Sequence, residues 1–224
     1  MPILVYVFVR LELPIVAFAI ILLSKWRIFA VRPRHWPAHF RTNAVDIIFG
    51  LSVLAFMTNT SSMGLQILWV VIFELWLLYI KPGTSAFLVS IQALIAQIMG
   101  LTAIFIAFET AGAAVYMLLA ASILYFSARH YFGSFEEPYY NAYSLSWATV
   151  GASVVWVLSH WLLFIGPVAQ PAILLGILSY GLGSLYYLHE TDRLSKLIQW
   201  QVTFVMLIAV VGLLLVGKWT VSGL

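Results

Sequence analysis

The sequence contains no cysteine, so disulfide bonds, thiolate catalysis and cysteine-ligated metal sites are excluded. Charge is also scarce, because only 8% of the 224 residues are Asp, Glu, Lys or Arg. A soluble domain carries about 25% charged residues. Since 63% of this chain is hydrophobic, the surplus apolar surface must face lipid. The composition predicts an integral membrane protein, and it offers nucleic acid no basic domain to bind.

The usual catalytic and cofactor signatures are missing as well. The sequence holds no HExxH, GxSxG, Walker or Rossmann motif, and no intramembrane lysine for retinal. His35 and His39 are four residues apart, but Pro37 between them argues against a regular helix and a metal site. His130 and His189 fall at membrane boundaries rather than facing each other. We therefore expect no cofactor, no metal and no enzyme, with an intramembrane lipid enzyme as the least favoured alternative.

Eight apolar segments approach the roughly 20 residues that cross a hydrocarbon core of about 30 Å. A turn at Glu109–Gly112 is needed to divide the long apolar stretch between the fourth and fifth segments. The second and third segments are short, so a re-entrant pair there, and a count of seven, is the alternative. We predict an all-α polytopic bundle forming a single domain, 1–224. The segments are Ile3–Leu23, Asn43–Asn59, Leu65–Ile80, Ser85–Phe108, Gly112–Phe126, Ala142–Phe164, Val168–Leu188 and Leu197–Val216.

Basic residues indicate the orientation, because they stay on the cytoplasmic side. With eight spans, the loop after the first span shares a side with the other inner loops, and both termini are extracytoplasmic. We predict a multi-pass protein of the cell (plasma) membrane. A basic loop of this kind suits anionic lipid headgroups or a cytoplasmic partner. The loop contains Lys25, Arg27, Arg32, Arg34 and Arg41, and the later inner loops contain Lys81, Arg129, Arg193 and Lys196.

The two halves of the chain, 1–108 and 109–224, resemble each other. Glu12 and Glu109 each precede a phenylalanine, Phe29 and Phe126, by the same interval. Asn-Ala pairs also open a new span in each half. These matches predict a four-plus-four repeat whose halves are related by an axis along the membrane normal. The alternative is chance alignment of apolar sequence.

Ionisable groups inside a bilayer cost about 2.5–3.5 kcal/mol at a helix centre on insertion scales, so they are functional candidates. Glu74 has no adjacent base, and we expect it to bond to Gln92 and to bind a proton or cation. The competing interpretation is a hydrogen bond made by the neutral acid. Asp46, three residues after Asn43, resembles part of a helix cap. The candidate intramembrane polar site is Glu74, Gln92, Gln97, Arg10, Glu12 and His160.

Two functions suit these features. The first is a small transporter or channel-like protein that uses Glu74 as its coupling carboxylate. The second is a non-catalytic subunit or scaffold that packs against a membrane protein partner or a further copy of itself. The near absence of extramembrane sequence favours the second, and the intramembrane polar set favours the first.

Overall fold

The computed structural model describes residues 1–26, 30, 32–108, 111–161, 164–165 and 168–216. Within these residues the chain forms nine α-helices and one short antiparallel hairpin, β1 (Phe164–Ile165) with β2 (Val168–Ala169). A π-helical turn extends the fourth helix to Ile80. The helices are α1 Pro2–Arg10, α2 Pro14–Leu23, α3 Trp36–Thr58, α4 Met63–Leu75, α5 Ala86–Ala107, α6 Ala113–Gly133, α7 Tyr140–Leu158, α8 Gln170–Glu190 and α9 Lys196–Val216.

Seven of the helices described, α3 to α9 with their short extensions, are long and apolar enough to cross a membrane. The prediction of an all-α bundle is therefore confirmed, and the architecture is that of a multi-pass membrane protein. The second and third segments are longer than their sequence predicted, because α3 has 23 residues and α4 runs on through the π-helical turn, so both are long enough to span and a re-entrant pair is not needed. The count of eight spans is not confirmed.

The number of spanning helices differs from the predicted eight because the first predicted span, Ile3–Leu23, is divided into α1 and α2. Glu12 takes the left-handed conformation with φ 59°, Glu12 N donates to Val9 O (3.1 Å) and Leu13 N donates to Phe8 O (2.9 Å). This pair of bonds is the Schellman arrangement that ends a helix. Pro14 then begins α2, where its missing N–H costs nothing. One continuous first span is therefore wrong.

The two short helices form a helical hairpin. At 1.5 Å per residue, α1 and α2 are each about 15 Å long, which is half a bilayer core. Met1, Ser24 and Lys25 line the same small cavity, so both ends of the hairpin lie at one end of the bundle. The hairpin is anchored through Val5 and Ile21, which are buried against α3 and α4.

The bundle has two apolar cores. The first contains Val5, Ile21, Phe49 and Phe73, and joins the hairpin to α3 and α4. The second joins α5 to α8, and includes Leu101, Phe105, Tyr116, Leu124, Val155 and Leu175. The predicted four-plus-four repeat is not confirmed, since one half begins with a hairpin and the other with the continuous helix α6.

Candidate functional site

A cluster of charged side chains lies where the hairpin meets α3 and α4. The Lys25 Nζ is 2.7 Å and the Lys81 Nζ is 3.2 Å from Oδ2 of Asp46. The indole N–H of Trp76 donates to Oδ1 of the same carboxylate (3.1 Å). The Trp76 ring stacks on Phe49 with centroids 3.9 Å apart, which fixes the indole. Asp46 thus joins three separate segments of the chain.

The helix-cap interpretation of Asp46 is wrong. Helix α3 begins at Trp36 with Pro37 in its first turn, so Asp46 lies in the helix interior. Asn43 does not cap either, because its amide donates to His39 O (2.9 Å) within the same helix. Pro37 was expected to argue against a regular helix here, but it lies in the first turn of α3, where proline is tolerated. Sequence reasoning missed the ion cluster because its members are 21 and 35 residues apart.

The charges in the cluster are partly removed from solvent. The side chains of Lys25 and Asp46 are 11% and 14% exposed, whereas that of Lys81 is 40% exposed. Burial lowers the pKa of the Lys25 ammonium, and the nearby Asp46 carboxylate opposes this by favouring the charged form. Two cations on one carboxylate leave an excess of one positive charge.

Gln92 does not bond to Glu74, contrary to expectation. Its amide N–H groups donate to the carbonyls of Ile80 (2.6 Å) and Gly83 (3.0 Å), and its Oε1 lies 2.8 Å from Nε2 of His130. Through these hydrogen bonds, Gln92 links the turn between α4 and α5 to His130 near the end of α6. This role is structural, because one amide side chain binds two carbonyls of the chain reversal, Ile80 O and Gly83 O.

Gln97, one and a half turns further along α5, joins three helices. Its amide donates to the Ser179 Oγ (2.6 Å) and to the Leu175 carbonyl (3.3 Å) on α8. Its Oε1 accepts from the indole N–H of Trp147 on α7 (3.2 Å). Gln97 is buried, and it lines one large cavity together with Ser179 and Trp147.

That cavity has a volume of about 950 Å³ and lies between α5, α6, α7 and α8, with Val202 of α9 also in its wall. Eight of its lining residues are aromatic, and among the residues described none of the lining side chains is charged. Tyr143 and Tyr180, on either side of the gap between α7 and α8, are 43% and 66% exposed. The cavity therefore opens sideways, through the surface of the bundle. The aromatic lining residues are Phe87, Tyr131, Phe132, Tyr143, Trp147, Tyr180, Tyr186 and Tyr187.

The surface of this cavity is mostly apolar. Ser127 is one of its lining residues, but its hydroxyl is itself buried and, among the residues described, has no hydrogen-bond partner. A buried hydroxyl without a partner is costly. Near the cavity's end, the Tyr131 hydroxyl donates to Gly183 O (2.6 Å) and that of Tyr186 donates to Glu137 Oε2 (2.6 Å).

The six residues predicted as one site lie in four different places. Gln92 and Gln97 are buried in α5, whereas Arg10 and Glu12 are exposed at the turn of the hairpin. Glu74 is half-buried on α4 and forms no ion pair or hydrogen bond with any residue that the structure describes. His160 is exposed just beyond α7, where its Nδ1 lies 2.8 Å from Trp156 O. Among the described residues, therefore, none of these ionisable groups forms an ion pair with another.

The residues of the predicted basic loop also lie in different places. Lys25 belongs to the ion cluster, and Arg27 lies outside the described residues. Arg32, Arg34 and Arg41 are exposed at or near the start of α3. The predicted turn around Glu109 cannot be placed either, since 109 and 110 lie outside the described ranges.

Across the described part of the chain, no three His, Asp or Glu side chains meet in a group that could hold a metal ion. No protein-family model, characterised protein or solved structure matches the sequence or the fold. The functional interpretation therefore rests on the geometry of the described residues.

Proposed function

We propose that this protein is a small, non-catalytic membrane transporter that binds an uncharged, largely apolar molecule in the cavity between α5 and α8. The observation that carries the proposal is the volume of about 950 Å³ with eight aromatic rings in its wall. Cavities of this size hold drug-sized ligands, and such sites are mostly apolar with a few polar groups that orient the ligand.

The chemistry of the wall favours one class of ligand. Transfer of an ion into an apolar site without an opposite charge costs many kcal/mol, and the described wall supplies no such charge. A hydroxyl, carbonyl or amide on the ligand would pair with an exposed polar side chain of the wall, such as that of Ser146. The lateral opening between α7 and α8 suits entry from the bilayer, where apolar molecules concentrate.

The proposed orientation follows from the basic residues. It places Lys25, Lys81 and the start of α3 at the cytoplasmic side. Seven spans then leave the end of α9 outside, while the hairpin opens inward. This differs from the expectation that both termini are extracytoplasmic. We propose the plasma membrane as the location.

The orientation can be tested with single cysteines, because the chain contains none. Ser61→Cys lies in the short connection between α3 and α4, and Ser195→Cys lies just before α9. Both side chains are exposed. A membrane-impermeant maleimide applied to intact cells should label Ser61→Cys and leave Ser195→Cys unlabelled until the cells are opened. Labelling of Ser195→Cys alone would reverse the proposed orientation.

A bulky side chain placed in the cavity should weaken binding. Ser146 is exposed at the cavity wall on α7, so Ser146→Phe places a ring in the ligand volume. Ser153 is exposed on the same helix but outside the wall, so Ser153→Phe is the matched control. Using a brominated fatty alcohol as probe, we expect quenching of Trp147 fluorescence in the parent and in Ser153→Phe, and at least a tenfold weaker affinity, about 1.4 kcal/mol, in Ser146→Phe.

Flux of the same alcohol into proteoliposomes tests transport separately from binding. Glu74 does not line the cavity, so Glu74→Gln should leave affinity unchanged. Loss of pH-dependent flux in Glu74→Gln would restore that carboxylate as the coupling group. Equal quenching in Ser146→Phe and Ser153→Phe would contradict the proposed binding site itself.

A second candidate is a non-catalytic subunit of a larger membrane assembly. Its specific support is α9, in which Leu213 is the one buried residue of the 21 in this helix. A helix with so little contact to its own bundle offers a face to a membrane protein partner or a second copy. Native mass spectrometry of the protein released in mild detergent discriminates the two, because a stoichiometric protein partner would make this candidate the better one.

A further inference from the structure

The ion cluster borders a second, smaller cavity of about 220 Å³. One end of this cavity is polar, with Lys25, Asp46 and Lys81, and the other is apolar, with Ile21, Phe73 and Leu77. A volume of this size holds several waters or one phosphate group. The cavity is separate from the large one, since the two share no lining residue.

The polar end carries an unbalanced charge. Both ammonium groups contact the same oxygen of Asp46, and the other oxygen accepts from Trp76. The carboxylate is thus fully engaged, while each ammonium has three N–H donors. Within the described part of the chain, these two contacts are the only ion pairs, so no second carboxylate neutralises the remaining cation.

The position of the cavity indicates the source of a counter-ion. Lys25 follows α2 and Lys81 follows the π-helical extension of α4, so both lie at the end of the bundle where the exposed Arg34 and Arg41 also lie. Anionic lipid of the cytoplasmic leaflet attracts basic residues at this level. The apolar end of the cavity would meet the first carbons of an acyl chain.

We propose that this cavity binds the phosphate group of an anionic phospholipid, with the Lys25 and Lys81 ammonium groups as its donors and the hairpin as one wall. The inference does not depend on the proposed transport function, because it concerns a different cavity and a different ligand. Lys81 is the more exposed of the two cations and the one that approaches the phosphate from the interface.

Native mass spectrometry of the full-length protein in mild detergent, titrated with phosphatidylglycerol or phosphatidylcholine, tests this. We expect one phosphatidylglycerol to bind more tightly than phosphatidylcholine, with about fivefold weaker binding in Lys81→Gln, the effect of one basic residue at an anionic surface. Arg41→Gln, an exposed basic residue at the same end, should keep the parent affinity. Equal losses in the two variants, or equal binding of the two lipids, would overturn the proposal.

Leu77→Trp fills the apolar end without changing charge, so it should also lose phosphatidylglycerol; retention of the lipid in this variant would contradict the site. It keeps the test decisive if Lys81→Gln fails to fold. Inorganic phosphate added in excess identifies the source of the phosphate. Failure of phosphate to displace the lipid supports a phospholipid as the ligand. Displacement at millimolar concentration would show that a free phosphate is the ligand and would overturn the lipid assignment.

Discussion

Asp46→Asn should lower the free energy of unfolding by up to about 3 kcal/mol, because removing one partner of a largely buried ion pair leaves the other charge uncompensated. The substitution keeps the size of the side chain and an oxygen for the Trp76 indole, so charge is what changes. Lys25 would then remain nearly buried beside a second ammonium, that of Lys81. The measurement is equilibrium unfolding in mixed detergent, followed by tryptophan fluorescence.

The matched control is Glu74→Gln, the same chemical change at a half-buried carboxylate that has no described partner. We expect a change within about 0.5 kcal/mol there, as for most sites without a specific contact. Lys25→Met combined with Asp46→Asn should recover part of the loss, because the buried charge leaves together with its partner. If Asp46→Asn and Glu74→Gln unfold alike, the cluster does not stabilise the fold.

Gly100→Leu should destabilise the bundle by about 3 kcal/mol or prevent folding, through overpacking where α5 meets α3 and α6. A Cβ at Gly100 would lie 2.7 Å from the Cγ2 of Ile48 and 3.0 Å from the Cγ2 of Ile123. Both neighbours are β-branched, so their methyl groups cannot swing aside without leaving a preferred rotamer. Small residues allow such close helix contact in membranes.

Gly212→Leu in α9 is the comparison, since nothing lies within 4 Å of a Cβ built there. It should leave the unfolding midpoint unchanged or raise it slightly, because glycine in a helix interior costs about 0.5–1 kcal/mol relative to alanine. Thermal unfolding of the two variants in the same detergent gives the answer. Similar midpoints would show that α3, α5 and α6 are not packed as closely as the structure has them.

Much of the helical architecture follows from sequence, because apolar length and turn residues determine it. The predicted segment Ser85–Phe108 corresponds to α5 at Ala86–Ala107, and Leu197–Val216 corresponds to α9 at Lys196–Val216. The hairpin was missed although Pro14 provided a signal. A proline is typical of the start of a helix, but the apolar run around Pro14 has spanning length, and that length favours one continuous span.

The charged groups were harder to place. The expected depth of each residue along its own helix favoured Glu74 over Asp46 as a functional candidate. In the structure, Glu74 is half-buried and has no described partner. The importance of Asp46 depends on which lysines the fold brings to it, and those lie far away in sequence. Likewise, the sequence alone did not indicate that Ser127 lines the large cavity, because residues from several helices form that wall.

The hairpin of α1 and α2 also has a consequence for biogenesis. Residues 1–23 leave the ribosome before α3 and α4, the helices on which Val5 and Ile21 rest. Each short helix is long enough for only half a bilayer core, so neither suits a stop-transfer segment. Within residues 1–58, α3 is the first helix of spanning length, and the hairpin can pack in its place only after both of its supporting helices are present.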